Sequence, residues 1–263
     1  MQAVLFDLDG VVYEGERVIP GAVDTVHWFQ QQGIPHLFLT NTSSKPRSAL
    51  VEKLAAFGID CSEQDFLTPP AAAGAWLKHH VEHAVATFVP EATRSEFSDF
   101  QLSDDPADSI DAVVIGDLGE SWDFATLNRA FQMLMHNPDA HLIALGMTRF
   151  WKSEHGLQLD AGPFVAALEY ATGREALVMG KPAQKFYQAA LAKLAIPAAQ
   201  TLMIGDDIVG DIQASQKLGF HAVLVRTGKF SENDLKQGIT PQAVLDSIAG
   251  LPQYWQSVSD PHG

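Results

Sequence analysis

Asp7 and Asp9 follow an apolar run that begins at Ala3, one residue apart, and Gly10 then lets the backbone turn. The period of two in an extended chain predicts that both carboxylates point to one side. Thr40 and Asn41 follow the run from His36 to Leu39 and offer a hydroxyl and an amide to a phosphoryl oxygen. Lys181 stands after Gly180, and Asp206, Asp207 and Asp211 stand after Gly205, each again at the end of an apolar run. In a parallel α/β sheet, ligands bind beyond the carboxyl ends of the strands, so four such endings are expected to meet at one crevice. Three or more carboxylates there repel one another and ionise together only beside a cation. Their oxygens suit Mg²⁺, which takes one or two carboxylates, water and substrate phosphate. Lys181 supplies a second positive charge. A nucleophile, an acid, a hydroxyl, a lysine and a metal are the parts of phosphoryl transfer by positioning and electrostatics.

Strands alternating with helices must position these residues. Ala3 to Leu8 reads as a buried strand, and Ala22, Val23, Val26 and Phe29 recur at helical spacing until Gly33. His36 to Leu39 is a second strand, Ser44 a candidate cap for a helix facing the core with Leu50, Val51, Leu54 and Phe57, and Thr68-Pro69-Pro70 opens a third helix. Further strands are expected at 85–89, 112–115, 141–145, 176–179, 201–204 and 222–225. Helices are expected through Leu127 and Leu134, through Phe186 and Leu194, and through Ile212 and Leu218. The tail after Pro252, with Tyr254 and Trp255, reads as an irregular arm. The pattern predicts an α/β fold: a Rossmann-like parallel sheet with helices on both faces, plus an inserted α/β cap. The expected division is a core of residues 1–78 and 176–263 and a cap of residues 79–175.

Length and charge narrow the function classes. The 263 residues, 46% hydrophobic and 19% charged, suffice for one large or two modest globular domains. Seventeen basic against 32 acidic residues give a net charge of −15, which disfavours nucleic acid and anionic membranes as partners. A small anionic substrate stays compatible, because a metal ion, a lysine and helix N-termini make a local positive pocket. The single cysteine, Cys61, excludes an internal disulfide and a cysteine-based zinc site and reads as a small buried hydrophobe. With no basic leader or long apolar stretch, a cytoplasmic protein is expected; a homodimer is left open.

Asp7-Leu8-Asp9-Gly10-Val11, Leu39-Thr40-Asn41, Gly180-Lys181-Pro182 and Gly205-Asp206-Asp207 with Asp211 stand in the motif order of the haloacid dehalogenase-like (HAD) superfamily, which the sequence resembles over nearly its whole length. The insertion resembles the α/β cap of subclass IIA. Residues 161–169 and Arg226-Thr227-Gly228-Lys229-Phe230 resemble the branch that holds the phospholysine phosphohistidine inorganic pyrophosphate phosphatases. The resemblance implies that Asp7 attacks phosphorus and becomes an aspartyl phosphate, and that Asp9 acts as acid and then base. It implies that Thr40, Asn41 and Lys181 hold the phosphoryl oxygens. It also implies Mg²⁺ on Asp7, the Asp9 backbone carbonyl and Asp206, with Asp207 or Asp211 orienting its waters. One departure is Gly210 before Asp211, where many subclass members carry threonine.

Other residues invite weaker readings. His79, His80 and His83 could bind a transition metal from one helix, but a solvated helix end explains them better. Trp122, Phe150 and Trp151 are core formers before they are pocket residues. Gly162-Pro163 is the better pocket candidate. The expected function is a Mg²⁺-dependent phosphatase for a small phosphorylated metabolite or pyrophosphate. The alternatives are a phospho-accepting signalling domain of the receiver kind, a phosphomutase, and a metal-free dehalogenase as the weakest. The receiver needs no acid–base residue such as Asp9.

Overall fold

Ala3–Asp7 forms β1, buried at every residue, as an apolar run must be when both faces of its sheet are covered. In the computed structural model, which describes residues 1–153 and 156–259, β1 is followed by the short hairpin β2 (Tyr13–Glu14) and β3 (Arg17–Val18). Then come α1 (Ala22–Gln31), β4 (His36–Leu39), α2 (Arg47–Ala56), β5 (Phe66–Leu67) and α3 (Pro69–Leu77). The middle of the chain runs β6 (Ala84–Phe88), α4 (Glu91–Arg94), β7 (Ile110–Ile115), α5 (Phe124–His136), β8 (His141–Ala144), the hairpin β9 (Phe150–Ser153) and β10 (Gly156–Leu159), α6 (Ala161–Thr172) and β11 (Leu177–Val178). It closes with α7 (Gln184–Leu194), β12 (Thr201–Gly205), α8 (Ala214–Gln216), β13 (His221–Val225), β14 (Ala243–Leu245) and α9 (Leu251–Ser259).

Two compact units result. The first comprises Met1–Thr40, Ser48–Leu67 and the chain from Lys181 onward. Its six strands are parallel in the order β14-β13-β12-β1-β4-β5, with Phe6 in register with Ile204 on one side and Phe38 on the other. The core gathers on Phe6, whose ring meets Phe29 edge-on at 5.4 Å, and on Phe38, Phe66, Leu54 and Trp255. The second unit comprises Asn41–Arg47 and Thr68–Gly180, and holds a parallel sheet in the order β11-β8-β7-β6. It therefore takes in α3 and extends to Gly180, a wider span than residues 79–175. The expected α/β fold with a separate inserted sheet is what the chain forms.

Three local expectations are corrected. Helix α2 starts at Arg47 rather than from a cap at Ser44, because Pro46 disfavours helical geometry in the residue before it. The stretch through Ile212 is a π-helical segment, Ile208–Gln213, that passes into the short α8. The tail is α9, not an irregular arm: Leu251 and Trp255, four apart, share its buried face, and Trp255 packs edge-on against Phe29 at 5.1 Å.

Candidate active site

The first unit brings Asp7, Lys181, Asp206 and Asp211 together from three separate stretches of chain. β1 ends at Asp7, whose side chain is buried, while Asp9 lies past the strand and is exposed. Strand alternation thus ends with Asp7 and does not reach Asp9, which bridges to Tyr13 in the turn. Lys181 is buried and donates to Asp7 Oδ1 at 2.6 Å and to Asp211 Oδ1 at 2.7 Å. Asp211 can come this close because β12 ends in glycine: a Cβ on Gly205 would stand 2.2 Å from that of Asp211.

Asp207 and Asp211 part company here. Asp207 Oδ1 accepts the backbone N–H groups of Val209 and Gly210 at 3.0 and 2.7 Å, so its carboxylate starts the helical segment. Asp211 turns inward, its Oδ2 receiving the Asp207 N–H at 3.2 Å. Tyr187, a residue that strand-end reasoning missed because it lies mid-helix, braces this turn by donating to the Gly210 carbonyl at 2.6 Å. Thr40 is buried at the end of β4, its N–H donating to the Leu67 carbonyl at 3.3 Å. Asn41 follows it in the chain, is exposed and belongs to the second unit.

One carboxylate oxygen from each of Asp7, Asp206 and Asp211 falls within 4.8 Å of the others, and this is the one such group among the described residues. Asp206 Oδ1 is buried with no hydrogen-bond partner. Three buried carboxylates, one of which carries an unpartnered oxygen, fit a hard divalent cation, since a lone buried carboxylate oxygen is costly unless something positive meets it.

Electrostatics agree. Burial, opposed by Lys181 and reinforced by Asp206, raises the Asp7 carboxyl above the usual range. Burial pushes Asp206 up to about 6, against the Lys229 N–H and with the charge of Asp211. Burial and the charge of Asp7 push Asp211 up to about 6, against Lys181. Burial pulls the Lys181 ammonium down, but Asp211 and Asp7 outweigh it and hold it above its ordinary value. A carboxyl whose folded pKa exceeds its unfolded value of about 4 stabilises the fold below that pH and loses the contribution as pH rises through the folded value. For Asp206 and Asp211 that loss runs from about pH 4 to a little above 6. A cation restores stability where these groups are charged and must displace protons where they are not. The gain in thermal midpoint on adding Mg²⁺ should therefore grow from about pH 5 to about pH 7.5. A gain that is flat across this range counts against Asp206 and Asp211 as the metal's neighbours.

The remaining candidates lie in the second unit or away from the cluster. α3 stops at Leu77, so His79, His80 and His83 do not share a helix. The His80 ring stacks on Trp76 at 3.8 Å and His83 meets Asp111 at 3.1 Å, and they form no metal-ligating group among the described residues. Trp122 stacks on Phe164 at 4.6 Å within the second unit's core, whereas Phe150 and Trp151 are exposed on β9. Gly162 is explained by packing: a Cβ there would press to 2.7 Å on the Thr148 carbonyl. Cys61 is half-buried, packs against the first unit's core, and has its thiol pushed up to about 11 by burial and by Asp65 and Asp60.

Residues 4–103 match the family model described as haloacid dehalogenase-like hydrolase, and residues 178–251 match a second, HAD-hydrolase-like model. The human phospholysine phosphohistidine inorganic pyrophosphate phosphatase is 40% identical over 240 residues, covering 89% of this chain and 86% of that protein. The chain belongs to the HAD-like hydrolases, subclass IIA. Among solved structures, a hypothetical protein of Pyrococcus horikoshii OT3 aligns with a TM-score of 0.88 at 28% identity, over 97% of this chain and 100% of that one. The p-nitrophenyl phosphatase of Archaeoglobus fulgidus aligns with a TM-score of 0.87 at 26% identity, over 96% and 98%. By these relatives this HAD-like hydrolase is a phosphatase. Among its described residues, no helix is long and apolar enough to cross a membrane.

The loop after β13, which the sequence marked only through the resemblance of Arg226–Phe230 to one family branch, also belongs to the site: Lys229 donates its N–H to Asp206 Oδ2 at 2.7 Å. The signal was present, since Arg226-Thr227-Gly228 follows a strand end as the other four motifs do.

Proposed function

We propose that this enzyme hydrolyses a small phosphorylated metabolite or pyrophosphate, with Mg²⁺, through an aspartyl phosphate on Asp7. The observation that carries the reading is the buried Lys181 ammonium set between Asp7 and Asp211, beside the unsatisfied Asp206 Oδ1. Asp7 attacks phosphorus, the bond from phosphorus to the leaving oxygen breaks, and that oxygen takes a proton from Asp9. Water then attacks the phosphoryl group, Asp9 receives its proton, and Asp7 is released with phosphate. The exposed setting of Asp9 suits a group that must exchange protons with leaving group and water. Lys181, Thr40 and Asn41 hold the phosphoryl oxygens. Asp7, the Asp9 carbonyl and Asp206 would hold Mg²⁺, whose chemistry is to neutralise charge growing on those oxygens. Asp211 keeps Lys181 and the metal's surroundings in place, a role the geometry supports better for it than for Asp207. The inserted unit, by its place between the second and third motifs, is assigned to choosing the substrate.

The test is phosphate release from p-nitrophenyl phosphate, pyrophosphate and a panel of sugar and nucleotide phosphates, with Mg²⁺ and with excess EDTA. Release that EDTA abolishes is the expected result, and the ranking of the panel narrows the substrate. Undiminished release in EDTA rejects the metal. No release from any compound by folded protein, with a stable phosphoryl group on Asp7, moves the reading to a phospho-accepting switch.

A further inference from the structure

Asp206 is held in an unusual way for a carboxylate at a strand end. Its Oδ2 packs against two glycines that also meet each other: a Cβ on either Gly10 or Gly228 would stand 2.0 Å from that oxygen. Both have positive φ, +87° and +67°, and a Cβ on Gly228 would also stand 2.6 Å from the Gly10 Cα. The Lys229 N–H then closes on Oδ2, which leaves Oδ1 as the buried, unpartnered oxygen. The carboxylate's setting therefore depends on two loops staying apposed, the turn after Asp9 and the loop after β13. Two hydrogen bonds between side chain and backbone join them. Thr227 Oγ1 donates to the Gly10 carbonyl at 2.6 Å, and the Gly228 N–H donates to Glu14 Oε1, in the β2 strand, at 2.9 Å.

We propose that Thr227, with Glu14 as a second anchor, is a positioning residue that clasps these loops and thereby aims Asp206 Oδ1 and the backbone of the Asp9–Gly10 turn at the bound cation. This rests on the proposed Mg²⁺ site. A bond to Gly10 lies one residue from Asp9, so losing it disturbs both sides of the site at once. Partners that orient a metal's ligands from behind are worth about ten- to a hundredfold in metal affinity. The clasp is also distinct from a mere loop staple, because a staple affects folding while leaving the cation's affinity alone.

The experiment is calorimetric titration of the full chain with Mg²⁺ alone, for wild type, Thr227→Val, Thr227→Ser and Glu14→Ala, alongside the thermal midpoint of each in EDTA. Thr227→Val keeps the shape and removes the donor, and is expected to raise the Kd for Mg²⁺ about tenfold. Thr227→Ser restores the donor and is expected within about twofold of wild type, while Glu14→Ala shifts Kd in the same direction as valine. Should the valine variant fail to fold, Glu14→Ala carries the test. Wild-type binding with Kd within about twofold in both disrupting variants overturns the clasp alone. A wild-type protein that takes up no Mg²⁺ overturns the metal assignment and the clasp with it.

Discussion

Asp7→Asn is expected to abolish phosphate release from every substrate while leaving the metal-free protein at least as stable as wild type. An amide oxygen is a poor nucleophile, and losing a nucleophile that works as part of a unit typically costs on the order of 10⁴-fold or more in kcat. The stability half follows from the environment. Burial and the charge of Asp206 raise the Asp7 carboxyl even with Lys181 beside it, so the folded state penalises the charged form. Asparagine removes that penalty and can still accept from Lys181, which keeps Asp211 as its partner. The gain is largest at neutral pH and shrinks on acidification, where Asp7 itself becomes protonated. Thermal unfolding in EDTA at about pH 7.5 and about pH 5 checks it, and a clear drop in midpoint at the higher pH contradicts the assigned cause. Residual turnover near the wild-type rate contradicts the nucleophile.

Lys181→Met should do the opposite to stability. The ammonium is buried, and its removal leaves Asp7 and Asp211 facing each other in low dielectric with no cation between them. Breaking a buried ion pair from one side typically costs about 3–5 kcal/mol, because the surviving charge is left uncompensated. Here that cost should fall on acidification, starting above the wild-type value of about 6 because Asp211 has lost the cation that held its carboxyl down, and should fall also on adding Mg²⁺. Activity should drop by about 10²–10³-fold or more, as it does when a preorganised positive group near the reacting oxygens is lost. Urea unfolding at the two pH values, with and without metal, measures the first effect. A loss that is the same at both rules out unpaired carboxylates as its source. Arginine is not expected to rescue, since its planar fork does not fit a site shaped for a compact ammonium.

The two variants differ in sign for a reason that sequence spacing does not contain. Asp7 and Lys181 are 174 residues apart in the chain, and Lys181 and Asp211 are 30 apart. Strand endings with polar residues marked where to look, because an apolar run that stops at Asp or Gly has local causes: burial on both faces, then a turn. Asp9, expected as a strand neighbour of Asp7, falls outside it, since the strand ends two residues earlier, at Asp7. The same logic could not separate Asp207 from Asp211, which are alike in type and near in sequence; only their partners, the Val209 and Gly210 amides for one and Lys181 for the other, tell them apart. It passed over Arg226–Lys229 as a site element, and it missed α9, whose buried face is short enough that Leu251 and Trp255 carry most of it.

From the sequence alone followed the alternation of strands and helices, the inserted unit, the family and the residues that end each strand. These depend on periodicity, turn chemistry and motif order, all written within a few residues of one another. The tertiary structure alone decided which carboxylates share a cluster, that Lys181 sits between two of them, that burial pushes Asp206 and Asp211 up to about 6, and that Gly10, Gly228 and the Lys229 N–H pack against Asp206. Desolvation and Coulomb interaction act through space, and the groups concerned become neighbours only once the parallel sheet has brought the ends of β1 and β12 and the loop after β13 to one place.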